Sequence, residues 1–222
     1  MTAREMERIA VLEAQVAALV KSQDAQAEML REVRDAVVSA RGAKLVLLSL
    51  VGLAVLLQLD RAAQLVALGS VAPVAAYPFM KRITWWPQAW LGLVFSWAAL
   101  VGWPAVTGEI DTPALFLYAG SIAWVIGYDT IYAIQDIEDD ALVGVKSSAR
   151  RLGDQAALGV TIFYSVAVLL WGVAIWSVRP DWLALVALVP AVLHLCNQTL
   201  RIDPADGAGA LGLFRSNRTT GF

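Results

Sequence analysis

Residues 112–140 read TPALFLYAGSIAWVIGYDTIYAIQDIEDD, and this stretch decides the fold. Thr112 is placed to act as an N-cap, and Pro113 suits the first helical position, where its missing N–H has no partner to lose. The chain then stays apolar over most of the roughly 20 residues that a membrane-crossing helix needs. Towards its end the run turns acidic. Asp129 and Asp136 are seven residues apart, close to two turns, and Asp140 follows one turn later. Asp129, Tyr132, Asp136 and Asp140 are therefore expected in a row along one face of one helix. Like charges in such a row repel unless a cation lies between them, and oxygen-only ligands favour Mg²⁺ or a similar hard ion. Asp129 also lies inside the apolar run, where an acid costs about 2.5–3.5 kcal/mol on insertion scales. A solvated acidic loop at the membrane surface would explain Glu138 and Asp139, but it leaves Asp129 and the phasing unexplained.

The remainder of the chain agrees with a lipid solvent. Of 222 residues, 59% are hydrophobic and 16% charged, and a mean hydropathy of +0.63 is too high for a soluble domain, which must keep a polar exterior. From Lys44 onward, apolar runs alternate with charged or Pro-containing breaks: Leu45 to Leu59, Ala62 to Met80, Gln88 to Val106, Pro113 to Gln135, Ala156 to Val178 and Trp182 to Leu200. Trp85, Trp86, Trp103, Trp176 and Trp182 fall near the ends of these runs, where an indole can keep one edge apolar and the other wet. The expected fold class is an all-α, multi-span transmembrane bundle of about six spans, occupying residues 44–222, embedded in the lipid bilayer.

Residues 1–43 are of a different kind. Ile9, Leu12, Val16, Leu19, Gln23, Gln26, Leu30, Val33 and Val37 follow spacings of three and four, with charges on the other faces. This pattern predicts an N-terminal amphipathic or coiled-coil helix that allows self-association through residues 9–37, with a polar layer at Gln23 and Gln26 that weakens the seam while favouring one register. Basic residues are asymmetric across the spans. Arg41, Lys44, Lys81, Arg82, Lys146, Arg150, Arg151 and Arg201 collect on one side, against Arg61 and Arg179 on the other. By the positive-inside rule, the N-terminus and the loops after the second, fourth and sixth runs face the cytoplasm, and the expected location is a bacterial inner (cytoplasmic) membrane. A single Cys excludes an intramolecular disulfide or a CxxC metal site. A net charge of −2 argues against nucleic acid as a partner, and a removable signal peptide is not expected from the opening residues.

Three strings carry a resemblance. Tyr128-Asp129-Thr130-Ile131-Tyr132-Ala133 with the Asp136/Asp140 pair, and then Gly144-Val145-Lys146-Ser147-Ser148-Ala149, resemble the second aspartate-rich motif of the 4-hydroxybenzoate polyprenyltransferase (UbiA) family and the loop that follows it. Tyr77-Pro78-Phe79-Met80-Lys81-Arg82-Ile83-Thr84, followed by Pro87 and Gly92, is similar to a segment two helices earlier in the same family. The resemblance covers roughly Leu45 to Phe222. It implies that Asp136 and Asp140 hold Mg²⁺ against the diphosphate of a polyprenyl diphosphate, with Asp129 supporting the site. It also implies that the prenyl group passes to the ring of 4-hydroxybenzoate in ubiquinone biosynthesis. Lys81, Arg82 and Lys146 lie on the same expected side as the acids and are candidates to contact diphosphate or benzoate, and Tyr132 shares the acidic face. Simple positive-inside anchoring accounts for each of the three cations equally well.

The family's first motif, Asn-Asp-x-x-Asp-x-x-x-Asp, has no counterpart in the chain. Asp24 and Asp35 have neither its spacing nor its apolar setting. The six runs match the third to eighth helices of a nine-helix fold, a ninth being expected to begin near Leu211, so the sequence reads as a truncated or recombined form with impaired activity. The alternative from another class is a non-catalytic membrane assembly or anchor protein working through the coiled coil. Among weaker candidates, His194, near Cys196, Asn197 and Gln198, is expected to hydrogen-bond a neighbouring helix. Gly207, Gly209 and Gly212 read as a flexible polar loop, and Arg215 to Arg218 as a cytoplasmic anchor.

Overall fold

The computed structural model describes residues 42–219, together with Gln23, Glu28 and Met29. Apart from those three positions, the heptad segment and its expected self-association lie outside the described residues, as do Asp24 and Asp35. The chain divides into two compact units, residues 1–56 and 57–222, and no strand occurs among the described residues.

Helix α1, Gly42–Gln58, is apolar and rises about 25 Å at 1.5 Å per residue, short of the ~30 Å hydrocarbon core. Five longer helical stretches have the length and composition to cross a membrane: Arg61–Ile83, Pro87–Thr107, Thr112–Ile134, Ser148–Val178 and Trp182–Thr199. The expected all-α membrane bundle is therefore observed over the five longer stretches, and the first of the six expected runs is the short helix α1.

The first of the five consists of α2 (Arg61–Gly69) and α3 (Val71–Ile83). Asp60 caps α2 by accepting hydrogen bonds from the amides of Ala62 at 2.7 Å and Ala63 at 3.0 Å. The second consists of α4 (Pro87–Phe95), α5 (Trp97–Gly102) and α6 (Pro104–Thr107), interrupted at Ser96 and Trp103. Indole and phenol donors inside the apolar region join neighbouring spans. Trp90 Nε1 donates to Pro73 O at 2.8 Å, Trp97 Nε1 to Val66 O at 2.9 Å and Tyr118 Oη to Leu93 O at 3.0 Å. In lipid these bonds matter because no water is present to replace them.

Helix α7, Thr112–Ile134, begins one residue earlier than the sequence suggests, with Asp111 at the N-cap position and Pro113 in the first turn. It packs along α10, Ala156–Val178. Close approach is possible because α7 presents glycines: a methyl at Gly120 would fall 2.7 Å from Trp171 Cδ1, and one at Gly127 would overlap the Tyr164 ring. Around this contact Ile131, Ile134, Val160, Tyr164, Leu195 and Leu213 form the buried core. The last span consists of α11 (Trp182–Val186) and α12 (Val189–Thr199), with Pro190 just inside the second piece.

Two connections follow α7: α8 (Ile137–Val143), closed by Gly144 at φ 74°, and α9 (Ser148–Leu152). The expected flexible loop around Gly207, Gly209 and Gly212 is instead helix α13, Gly207–Ser216. Asp206 starts it by accepting from the Gly209 amide at 2.8 Å. Glycine's low helix propensity is overridden because Ala210 and Leu213 are buried against the core.

Gly127→Ala is expected to destabilise the detergent-solubilised protein by about 1–3 kcal/mol through overpacking against Tyr164. Thermal unfolding beside Gly212→Ala, whose methyl meets open space, is the check: only the first lowers Tm.

Candidate active site

The acidic end of α7 does not continue as the single helix that the seven-residue spacing implies. Gln135 and Asp136 donate to Tyr132 O and Ala133 O, both at 3.3 Å and both three residues back. Asp136 then takes φ −100°, ψ 5° and becomes the N-cap position of α8. Asp129 and Tyr132 therefore belong to α7, Asp140 to α8, and Asp136 to the step between them. Asp136 and Asp140 remain one turn apart, joined by Asp140 N to Asp136 O at 2.8 Å.

Lys81, near the C-terminus of α3, interacts electrostatically with both Asp129 and Asp136, and Tyr77, one turn before it, also feels Asp129. Two motifs far apart in sequence thus meet at this end of the bundle. Desolvation raises the Asp136 carboxyl above the usual carboxylate range; repulsion from Asp140 and Asp139 adds to the rise, and Lys81 opposes it. Arg82 is exposed beside Lys81. Tyr132 is half-buried, its ring 4.8 Å from that of Phe214 on α13. Phe214 also contacts Tyr128, at 5.8 Å.

Lys146, a candidate substrate ligand, makes three contacts within the protein. Its backbone N–H donates to Lys81 O at 3.3 Å, its ammonium to Ile83 O at 3.2 Å, and the ammonium lies 5.9 Å from the Trp85 ring centre. Arg150 approaches the same indole at 5.6 Å and donates to the carbonyls of Asp140, at 3.1 Å, and Val145. Beneath these contacts is a buried knot. Thr130 Oγ1 donates to Ile126 O at 2.6 Å, so its single proton is committed. The 2.7 Å contact with Ser148 Oγ is therefore donated by Ser148, whose amide in turn donates to Gln88 Oε1 at 3.1 Å. Thr130, Ser148 and Gln88 are all buried.

Sequence reasoning missed Gln88, Trp85, Arg150 and Phe214. The first three sit in or beside the quoted motifs, and Phe214 lies where glycines hid a helix. His194 does meet a neighbouring helix. Its Nε2 is 3.1 Å from Gln198 Nε2 and 3.4 Å from Ser216 Oγ, in a network where Tyr164 Oη donates to Gln198 Oε1 at 2.7 Å.

No three His, Cys, Asp or Glu side chains among the described residues stand close enough to hold a metal ion alone. Asp136 and Asp140, one turn apart and with Lys81 acting on the first, are the kind of donors that fit Mg²⁺, which keeps waters and takes phosphate oxygens rather than needing a full protein cage.

Residues 24–217 match the UbiA prenyltransferase family. The chain belongs to that family. It is 41% identical over 173 residues to the mitochondrial 4-hydroxybenzoate polyprenyltransferase of Arabidopsis thaliana, covering 78% of this chain and 42% of that protein. Similarity to the Caenorhabditis elegans protein of the same name is 39% over 170 residues (76% and 48%). To the Homo sapiens protein it is 41% over 174 residues (76% and 46%). The chain thus spans less than half the length of these relatives. No solved structure is significantly similar. The expected bacterial cytoplasmic membrane is overturned: the relatives are mitochondrial proteins of a plant, a nematode and a human. Counting basic residues distinguishes the two sides of a membrane but carries no information about which membrane it is.

Because the Asp136 pKa is raised on folding, its charged form is disfavoured in the fold. The group favours folding below the unfolded carboxylate pKa, and that contribution is lost as pH rises through the higher folded value. Asp136→Asn is therefore expected to raise Tm of the metal-free protein at pH 7. The gain should vanish as pH falls below the carboxylate range, a loss that unfolding scans across pH would register.

Proposed function

We propose that this chain carries Mg²⁺-dependent transfer of a polyprenyl group from polyprenyl diphosphate to the ring of 4-hydroxybenzoate, in ubiquinone biosynthesis and in a mitochondrial membrane. The observation that carries the reading is the Asp136/Asp140 pair at one end of the bundle, with Lys81 interacting with Asp136 and with Asp129, the latter about two turns deeper towards the apolar interior. Asp136 and Asp140 would hold the metal, which when bound neutralises charge developing on the departing diphosphate. Asp129 supports that pair, with the Lys81 ammonium close enough to interact with it.

Lys81 and Arg82 offer cations to diphosphate or to the benzoate carboxylate, Tyr132 offers a phenol on the acidic side, and Lys146 can join them on leaving Ile83 O. In the reaction, the allylic C–O bond breaks and its electron pair leaves with the diphosphate. The ring carbon ortho to the phenol forms the new C–C bond, and loss of its proton restores aromaticity. A dry cleft serves this chemistry, since water would capture the allylic cation first. The division into a helical segment over residues 1–43 and a prenyltransferase-like part from 44 onward, with self-association through residues 9–37, belongs to the same proposal.

Membranes containing the chain are expected to prenylate radiolabelled 4-hydroxybenzoate with Mg²⁺ and to stop with EDTA. Asp136→Asn should lower the rate about 10²-fold or more, as loss of one charge-stabilising group does elsewhere. Product formation indifferent to both would sink the reading; stable, inserted protein with no product would leave the chain as a membrane anchor.

A further inference from the structure

Arg150 makes contacts that neither metal binding nor membrane anchoring requires. Its guanidinium donates to Asp140 O and Val145 O, the two carbonyls that bracket the end of α8, while lying 5.6 Å from the Trp85 ring centre. Trp85 belongs to the short link between α3, which carries Lys81, and α4. One side chain therefore spans the backbone of a proposed metal-binding acid and the segment that presents the facing lysine. We propose that Arg150 and Trp85 form a latch that sets the spacing of Asp136 and Asp140 from Lys81, Arg150 being a positioning residue rather than a catalytic one. This rests on the reading of the acids as a metal–diphosphate site.

The physical case is one of geometry and charge. Helix α8 is only seven residues long, too short to hold itself in water, and Asp139 and Asp140 in its acidic first turn repel Asp136. Left to itself, this turn would splay and fray. Arg150 Nη1 donates to both carbonyls at the C-terminal end of α8, and the planar guanidinium suits an indole at this distance. Lys146 reaches the same ring at 5.9 Å from the preceding turn, so the indole still holds one cation if Lys146 turns towards an anion. The Thr130–Ser148–Gln88 knot anchors the start of α9, which leaves Arg150, two residues further on, with its origin fixed.

Groups that orient the residues of a metal site commonly change its affinity 10- to 100-fold when removed. The test is calorimetric titration of Mg²⁺ with inorganic pyrophosphate into the purified chain in nanodiscs. Arg150→Met, Arg150→Lys, Trp85→Leu and the Trp85/Arg150 double variant are compared, with Asp136→Asn as control. Arg150→Met and Trp85→Leu should each raise the half-saturating Mg²⁺ concentration about tenfold. The double variant should be no worse than either alone, and Arg150→Lys should fall in between, keeping a charged donor but losing the planar face against Trp85. If Arg150→Met does not fold, Trp85→Leu and Arg150→Lys carry the comparison. Variants that lower Tm while leaving half-saturation at the unsubstituted value would overturn the latch, since a merely structural contact behaves that way. Binding in the unsubstituted chain that ignores Asp136 would instead remove the metal–diphosphate reading and the latch with it.

Discussion

A hydroxyl pair buried between two motifs, Thr130 on α7 and Ser148 at the start of α9, holds the acidic end of the bundle together. Thr130 passes its proton to its own helix, Ser148 donates to Thr130, and the Ser148 amide is received by Gln88 at the start of α4. Three elements separated by long stretches of sequence are thus joined where none of the partners can turn to water. A buried donor or acceptor left alone costs about 1–3 kcal/mol, so each member constrains the other two. The connection that follows α8 is fixed by this knot, and with it Lys146 and Arg150.

The electrostatics of the site depend on that arrangement. Asp129 sits within α7, Asp136 at the step out of it and Asp140 in α8, so the acids are divided among three backbone contexts. The step at Gln135 and Asp136 tightens the chain locally and frees α8 to take its own direction. The loop after α8 then folds back and meets the α3–α4 link through Lys146, Arg150 and Trp85. This end of the bundle balances repulsion among carboxylates against Lys81, and among the described residues it is held by hydrogen bonds to side chains and backbone rather than by ion pairs.

A second layer comes from the far end of the chain. Helix α13 places Phe214 against Tyr132 and Tyr128, while Gln198, fully buried, receives the Tyr164 phenol and donates to Leu213 O at 3.1 Å and Ser216 Oγ at 2.7 Å. These bonds lie between helices in a region of low dielectric, where an unmade polar contact has no solvent substitute. The aromatic contact beside the acids is therefore maintained by a polar network on the opposite side of α13.

Much of this protein was legible in its sequence. The run from Ala156 to Val178 is the observed helix α10, and the runs around Thr112 and Trp182 agree to within a residue or so at each end, because in lipid an apolar stretch of sufficient length has few alternatives to a helix. The family, too, followed from strings such as Tyr128-Asp129-Thr130 and Lys146-Ser147-Ser148. What only the tertiary structure decided was how those strings meet. Seven-residue spacing implied one continuous acidic face, yet the chain steps at Asp136. Three glycines implied a loop, yet burial of Ala210 and Leu213 supports a helix. Lys146 was expected on the acidic side, and only the fold shows that its ammonium rests on Ile83 O. Periodicity reports the face a residue would occupy if its helix continued, whereas the ends of helices and the partners of cations depend on groups distant in sequence.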